Sequence, residues 1–309
     1  MPPVGGQAII EGVMMQNGDR VAVAVRRQSD GVIIVRDIPV RKRFRKFGEI
    51  PFIRGLFRLY DMLALGLRAL NMSTKLAFPE EEQLGKGESW LTFGLAIILA
   101  VGGFIVLPLY LANSVPGLRT GNSILFNLVE GLIRIVFFLA YLFIISRLKD
   151  IHRVFQYHGA EHKTVYTYEA GEELTVENAR KYTTLHPRCG TAFLMIVLVI
   201  SILVFSIAGN PTLWLKILSR LLLLPIVAGI SYEALRFSGG NYEKFWVRLL
   251  TKPGLWMQKL TTAEPTDDML EVAIAALKRV TEPLQEVQAQ MESEGDAVSD
   301  KGELSPSTK

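Results

Sequence analysis

The chain has 309 residues, half of them hydrophobic, and a mean hydropathy of +0.28. A soluble globular protein rarely averages so apolar, and the excess is gathered in blocks, which points to an integral membrane protein. A single cysteine excludes an internal disulfide framework and suits a reducing cytoplasmic setting, while a net charge of +4 matters less than its distribution.

The first thirty residues lack a basic start followed by a long apolar run, so no cleavable signal peptide is expected. Ala8 to Val40 reads as a small β-meander. Asn17-Gly18 is a strong hairpin signal, Val21, Val23 and Val25 alternate after it, and Ser29-Asp30-Gly31 turns the chain into Val32 to Val35. Residues 1–46 thus form a cytoplasmic β-element that ends in Arg41, Lys42, Arg43, Arg45 and Lys46. This basic run reads as contact with anionic lipid, each charge contributing about 1 kcal/mol near the surface. No nucleic-acid motif accompanies it, so specific nucleic-acid binding is not expected.

Residues 47–90 hold a helix and a linker. From Pro51 to Leu76, Arg54, Arg58, Asp61, Arg68 and Lys75 recur at helical spacing opposite Phe52, Phe57, Leu63, Leu67 and Leu70. Such a stripe fits a helix lying in the membrane interface; a helix packed on the β-meander is the alternative.

Residues 91–235 carry four stretches of the length a bilayer needs, about twenty mostly apolar residues. They are Leu91 to Ala112, flanked by Trp90; Ile124 to Ile145, containing Glu130 and Arg134; Thr191 to Ala208; and Ile217 to Leu235. Lys216, Arg220 and Pro225 interrupt the last. Lysine and arginine crowd the segment between the second and third spans and the amino-terminal flank, whereas Asn113 to Asn122 holds only Arg119. Four transmembrane helices with both termini cytoplasmic, in a bacterial inner (plasma) membrane, are therefore expected. Glu130 and Arg134 lie four apart and can pair on one helix face. Charges at that depth mark either a neutralised structural pair, a transport route or a docking point for another membrane protein or a second copy.

Between the second and third spans, the loop 146–190 holds all four histidines and the cysteine; apart from His152 they form two groups, His158-Gly159-Ala160-Glu161-His162, then His186-Pro187-Arg188-Cys189. On a helix His158 and His162 stand one turn apart, about 40° offset, and can grip one ion from the same side. The pattern matches H-x-x-E-H, in which the glutamate activates a metal-bound water. Imidazole and thiolate together select a zinc-like divalent ion. If all four ligands bind, the site is closed and structural. If three bind, water takes the open position and Glu161 serves as general base. Glu233, near the cytoplasmic end of the fourth span, is a candidate third ligand. Gly159 costs a helix about 1 kcal/mol against alanine. His152 reads as solvated, and the alternative for the others is interfacial hydrogen bonding.

Residues 236–285 contain an interfacial segment around Phe245, Trp246, Leu250, Leu255 and Trp256, then an amphipathic helix over Asp267 to Val280. Residues 286–309 form an acidic tail whose composition predicts disorder, and no internal repeat is apparent.

Several motifs together resemble a bacterial membrane family, the YqhQ-like proteins that carry domain of unknown function 1385. They include Gly5-Gly6-Gln7-Ala8-Ile9-Ile10-Glu11-Gly12, Phe155-Gln156-Tyr157-His158-Gly159-Ala160-Glu161-His162, Leu185-His186-Pro187-Arg188-Cys189-Gly190 and Ala228-Gly229-Ile230-Ser231-Tyr232-Glu233. The resemblance covers nearly the whole chain except the acidic tail. It implies a metal-dependent membrane enzyme of unstated substrate, and draws notice to Glu11, which reads by default as an ordinary strand residue, the alternative being that its glycine-flanked segment returns to the metal loop. The expected function is a membrane-bound metalloprotein, either a hydrolase or a scaffold with a structural metal, with a transporter using Glu130 and Arg134 as the remaining class.

Overall fold

The computed structural model describes residues 4–40, 50–78, 86–118, 123–207, 212–241 and 244–282. The basic run Arg41–Lys46 and the acidic tail lie outside them. Four antiparallel strands, β1 (Val4–Ile9), β2 (Gly12–Asn17), β3 (Arg20–Arg26) and β4 (Ile33–Asp37), form a meander in chain order. Asn17 pairs with Arg20 around Gly18, whose φ of +61° is the left-handed conformation a tight hairpin of this kind demands. The meander starts four residues earlier than its alternation suggests. The glycines of β1 hide the period, and Gly6 has a reason to be glycine: an added Cβ would stand 2.9 Å from the Glu161 carboxyl carbon.

Both faces of the sheet are covered. Val13, Met15, Ala22 and Ala24 pack with Leu270, Ala273 and Leu277 of α10 (Asp267–Thr281) and with Tyr157 and Ala160 of α5 (Lys149–Glu169). Ile9, Met14, Val21, Val23 and Val25 face the other way, onto Leu65 and Ala69 of α1 (Ile53–Ala77). This explains a β3 that is apolar at every position from Val21 to Val25: a strand buried on both sides needs no polar face.

Helix α1 serves two surroundings at once. Its small residues, Gly66, Ala69, Ser73 and Ala77, are buried, whereas Phe52, Leu63, Leu67 and Leu70 stay exposed. The helix therefore packs on the meander, and the apolar stripe faces away from it.

Among the described residues, three helices are long and apolar enough to cross a membrane. The first, Trp90–Ser114, runs through α2 (Lys86–Val101), one π-helical segment (Gly102–Val106) and α3 (Leu107–Ser114). The second is α4 (Ser123–Ile145), and the third is Leu213–Ser238 within α8 (Leu213–Gly240). The remaining apolar helix, α7 (Thr191–Ile207), has 17 residues and spans only about 25 Å at 1.5 Å per residue. The segment that Lys216, Arg220 and Pro225 interrupt is thus the longest, because Lys216 and Arg220 turn inward onto the rings of Phe126 and Phe205. A short helix α6 (Val176–Arg180) and α9 (Phe245–Thr261), with Trp246 and Trp256 exposed, complete the elements of the described residues.

Helix α1 is clamped to α8. Arg54 donates from Nε (2.7 Å) and Nη2 (2.5 Å) to the two oxygens of Glu233, which also accepts the Phe52 N–H. Gly55 and Gly229 permit this approach: a Cβ on Gly55 would stand 2.7 Å from Cβ of Tyr232.

Candidate metal centre

Helix α5 follows α4 after three residues and carries His158 and His162 on one face, their ring centroids 4.4 Å apart. Each ring is oriented by a backbone carbonyl. His158 Nδ1 lies 2.7 Å from the Thr261 carbonyl oxygen at the end of α9, and His162 Nδ1 lies 2.5 Å from that of Thr184. A carbonyl only accepts, so Nδ1 holds the proton in both rings and each Nε2 presents a lone pair. His158 Nε2 stands 3.2 Å from Cys189 Sγ, and the buried Nε2 of His162 has no hydrogen-bond partner among the described residues.

One ring nitrogen from each of these histidines and Cys189 Sγ lie within 4.8 Å of one another. A tetrahedral ion with bonds of about 2.0 Å to nitrogen and 2.3 Å to sulfur sets such donors roughly 3.5 Å apart. The donor set fits a zinc-like ion, and the paired Nδ1–H···O=C bonds are the outer contacts that orient metal-binding histidines. Sγ also receives the Thr191 N–H (3.4 Å) and contacts the Thr191 hydroxyl at 3.2 Å, at the first turn of α7.

His186 is near but engaged elsewhere. Its Nδ1 accepts the Arg188 N–H, its Nε2 faces Glu169 at 3.4 Å, and its ring lies 4.5 Å from that of Tyr166. Burial above all, opposed by the Glu169 carboxylate, pushes its pKa down to about 4, which keeps the ring neutral. The side chain of Gln258, on α9, accepts the N–H and donates to the carbonyl of His186, pinning the loop. Glu233 is far from this company, bound to Arg54. His152 is exposed on α5.

Glu161 points from α5 toward β1, where the N–H groups of Gly6 and Ala8 face its carboxyl. Burial pushes its pKa up to about 7, against the pull of His158 and those two amides. Its Oε2 is buried without a hydrogen-bond partner among the described residues. Glu11, in the β1–β2 turn at a φ of +54°, reaches the same helix one turn earlier. Its carboxylate takes hydrogen bonds from Arg153, Gln28 (2.6 Å) and the Tyr157 hydroxyl (3.4 Å). The strained turn thereby fixes α5 rather than joining the histidines and Cys189.

The family model described as "Protein of unknown function (DUF1385)" matches residues 50–283. The chain is also 34% identical over 296 residues to "Uncharacterized protein YqhQ" of Bacillus subtilis (strain 168), covering 90% of this chain and 92% of that one. The chain belongs to the DUF1385 family. No solved structure matches it. Neither description states an activity, so family membership leaves the chemistry to the site itself.

Within this member of the family, the residues that sequence reasoning missed are the ones that orient the others. Thr184 and Thr261 act through backbone carbonyls, which leave no mark in side-chain pattern. Gln258 lies on an amphipathic helix, where a polar side chain reads as solvated, yet it is fully buried. Gly159, read as a cost to α5, is a close approach: a Cβ there would meet the Ala263 carbonyl and come within 3.1 Å of Thr184 Cγ2.

Proposed function

We propose that this DUF1385 member is a multi-pass protein of the bacterial inner membrane that binds one divalent, zinc-like ion through His158, His162 and Cys189 where the apolar helices meet the cytoplasm. In this reading α7 is the fourth span, its 17 residues accommodated by local thinning and snorkelling flanks. Both termini and the metal loop are cytoplasmic, following the lysine and arginine bias. The observation that carries the metal assignment is the pair of Nδ1–H···O=C bonds, which present two imidazole lone pairs to one thiol sulfur.

Three protein ligands leave a fourth position for water, the arrangement of hydrolytic rather than closed structural zinc. Glu161, on the helix of His158 and His162, is the proton-handling group, and the substrate class is a peptide or lipid-derived molecule approached from the cytoplasmic face. Metal analysis of the purified full chain tests the assignment. One equivalent of ion in the wild type, lost in His162→Ala and in Cys189→Ala, is the expected result; wild type indistinguishable from both variants sinks it.

A second reading is favoured by one specific feature: the donors and their carbonyl partners join α5, the entrance of α7 and the end of α9. An ion there would staple the sheet-bearing layer to the membrane helices. Glu161→Gln separates the two. A variant that keeps its ion but fails to rescue a deletion strain supports hydrolysis, and full rescue supports the staple.

A further inference from the structure

The apolar helices enclose a charged cluster that does not balance. Asn127, Glu130 and Arg134 line one face of α4, Ser201 and Phe205 lie on α7, and Arg220 lies on α8. Glu130 binds Arg134 through Oε1, while Arg134 Nη1 donates to Ser201 Oγ at 2.9 Å. Arg220 donates to the Asn127 side-chain oxygen and stays 3.9 Å from Glu130 Oε2. Both guanidinium groups lie over the Phe205 ring, at 5.1 and 4.3 Å from its centroid. Glu130 and Arg220 are essentially inaccessible and Arg134 is 5% exposed. Two permanently charged guanidinium groups thus share one carboxylate. Arg134 Nε, Arg220 Nε and Glu130 Oε2 have no hydrogen-bond partner among the described residues.

A groove of about 270 Å³ ends at this cluster. Arg134 and Ser201 form its polar end, and Val101, Phe104, Leu198 and Leu224 are among its apolar walls. One wall is the π-helical segment Gly102–Val106, a local widening of the helix that recurs at functional sites. An apolar slot closed by surplus positive charge complements an amphiphile with a negative head.

We infer that the bundle binds a single-chain anionic lipid, its phosphate or carboxylate head at Arg134, with the charge of Arg220 behind it, and its acyl chain in the groove beside the π-helical segment. The site is separate from the metal centre and rests only on the membrane reading of these helices. The head sits beside Arg134 and Ser201 at the polar end of the groove, and its charge balances the cluster.

Native mass spectrometry of the full chain in mild detergent tests this with lysophosphatidic acid, oleate and, as the zwitterionic control, lysophosphatidylcholine. One anionic lipid per chain is expected, retained about tenfold or more over the control, the order expected of two cations near an anionic head. Arg220→Gln should abolish that preference. Ala100→Trp, which fills the groove and touches no charge, should lower retention of every acyl probe while the circular dichroism spectrum stays helical. Equal retention of anionic and zwitterionic lipid overturns the proposal, as does wild-type retention in Ala100→Trp. Displacement of the lipid by inorganic phosphate alone, at comparable concentration, overturns the acyl-chain assignment. A chain that leaves the membrane in a carbonate wash overturns the membrane reading itself; an embedded chain without lipid preference overturns only this site.

Discussion

His158 and His162 each give one ring nitrogen to a carbonyl, and that determines what the other nitrogen can do. With cobalt in place of zinc, wild type should show a thiolate-to-cobalt charge-transfer band that Cys189→Ser lacks; an identical spectrum would remove the sulfur from the site. Gly159 offers a sharper test of the packing around the two rings. In an isolated helix, glycine to alanine gains about 1 kcal/mol. Here the added methyl runs into the Ala263 carbonyl and Thr184, so Gly159→Ala should instead cost about 1–3 kcal/mol, read as a lower Tm in detergent. A raised Tm would mean that the 262–264 segment does not lie against α5.

Among the elements, α1 shows how one amphipathic pattern serves two partners. Its stripe of large side chains is exposed, and its small residues meet the sheet. Leu63→Gln with Leu67→Gln should leave the stability within about 0.5 kcal/mol of wild type, as exposed positions do. The same pair should weaken binding of the amino-terminal layer to vesicles. Ala69→Leu, at a position with no exposed area, should do the reverse: about 1–3 kcal/mol of stability lost from overpacking, with lipid contact unchanged. Equal effects of both changes on stability would show that the stripe is buried too. The 3.6-residue period was legible from Arg54 to Lys75, but the side of the helix that packs was not. Large apolar residues advertise burial, but most of the stripe stays exposed and the contact centres on Leu65 with glycine, alanine and serine, whose value is close approach rather than hydrophobicity.

At the scale of the molecule, a sheet-bearing layer and an apolar helical layer meet at the histidine loop. Besides the α1–α8 clamp, a second link between them passes through α5, the His186–Cys189 turn and the end of α9. If an ion sits there, it adds stability in proportion to its occupancy: about 2.7 kcal/mol when free ion is a hundred times its Kd. Chelation should therefore lower Tm in the wild type and leave His162→Ala unchanged. An equal drop in both would place the effect outside this site. Most of the architecture was readable in advance. The meander, the amphipathic helix over Asp267–Thr281 and the apolar spans follow from local periodicity, and the helix lengths come from uninterrupted apolar runs. The span crossed by Lys216 and Arg220 read as broken because sequence shows charge and not the aromatic rings that receive it.

The order of residues alone determined that this chain is mainly helical with long apolar runs, begins with a small antiparallel sheet, and places two histidines one turn apart. Each of these depends on neighbours within a few positions. Only the tertiary structure decided that Cys189 rather than Glu233 stands beside those histidines, that Arg220 joins Glu130 and Arg134, and that Glu11 anchors α5. Those partners lie tens to over a hundred residues apart, and the contacts that select them, carbonyl oxygens and glycine clearances above all, belong to the folded backbone and not to any side-chain pattern.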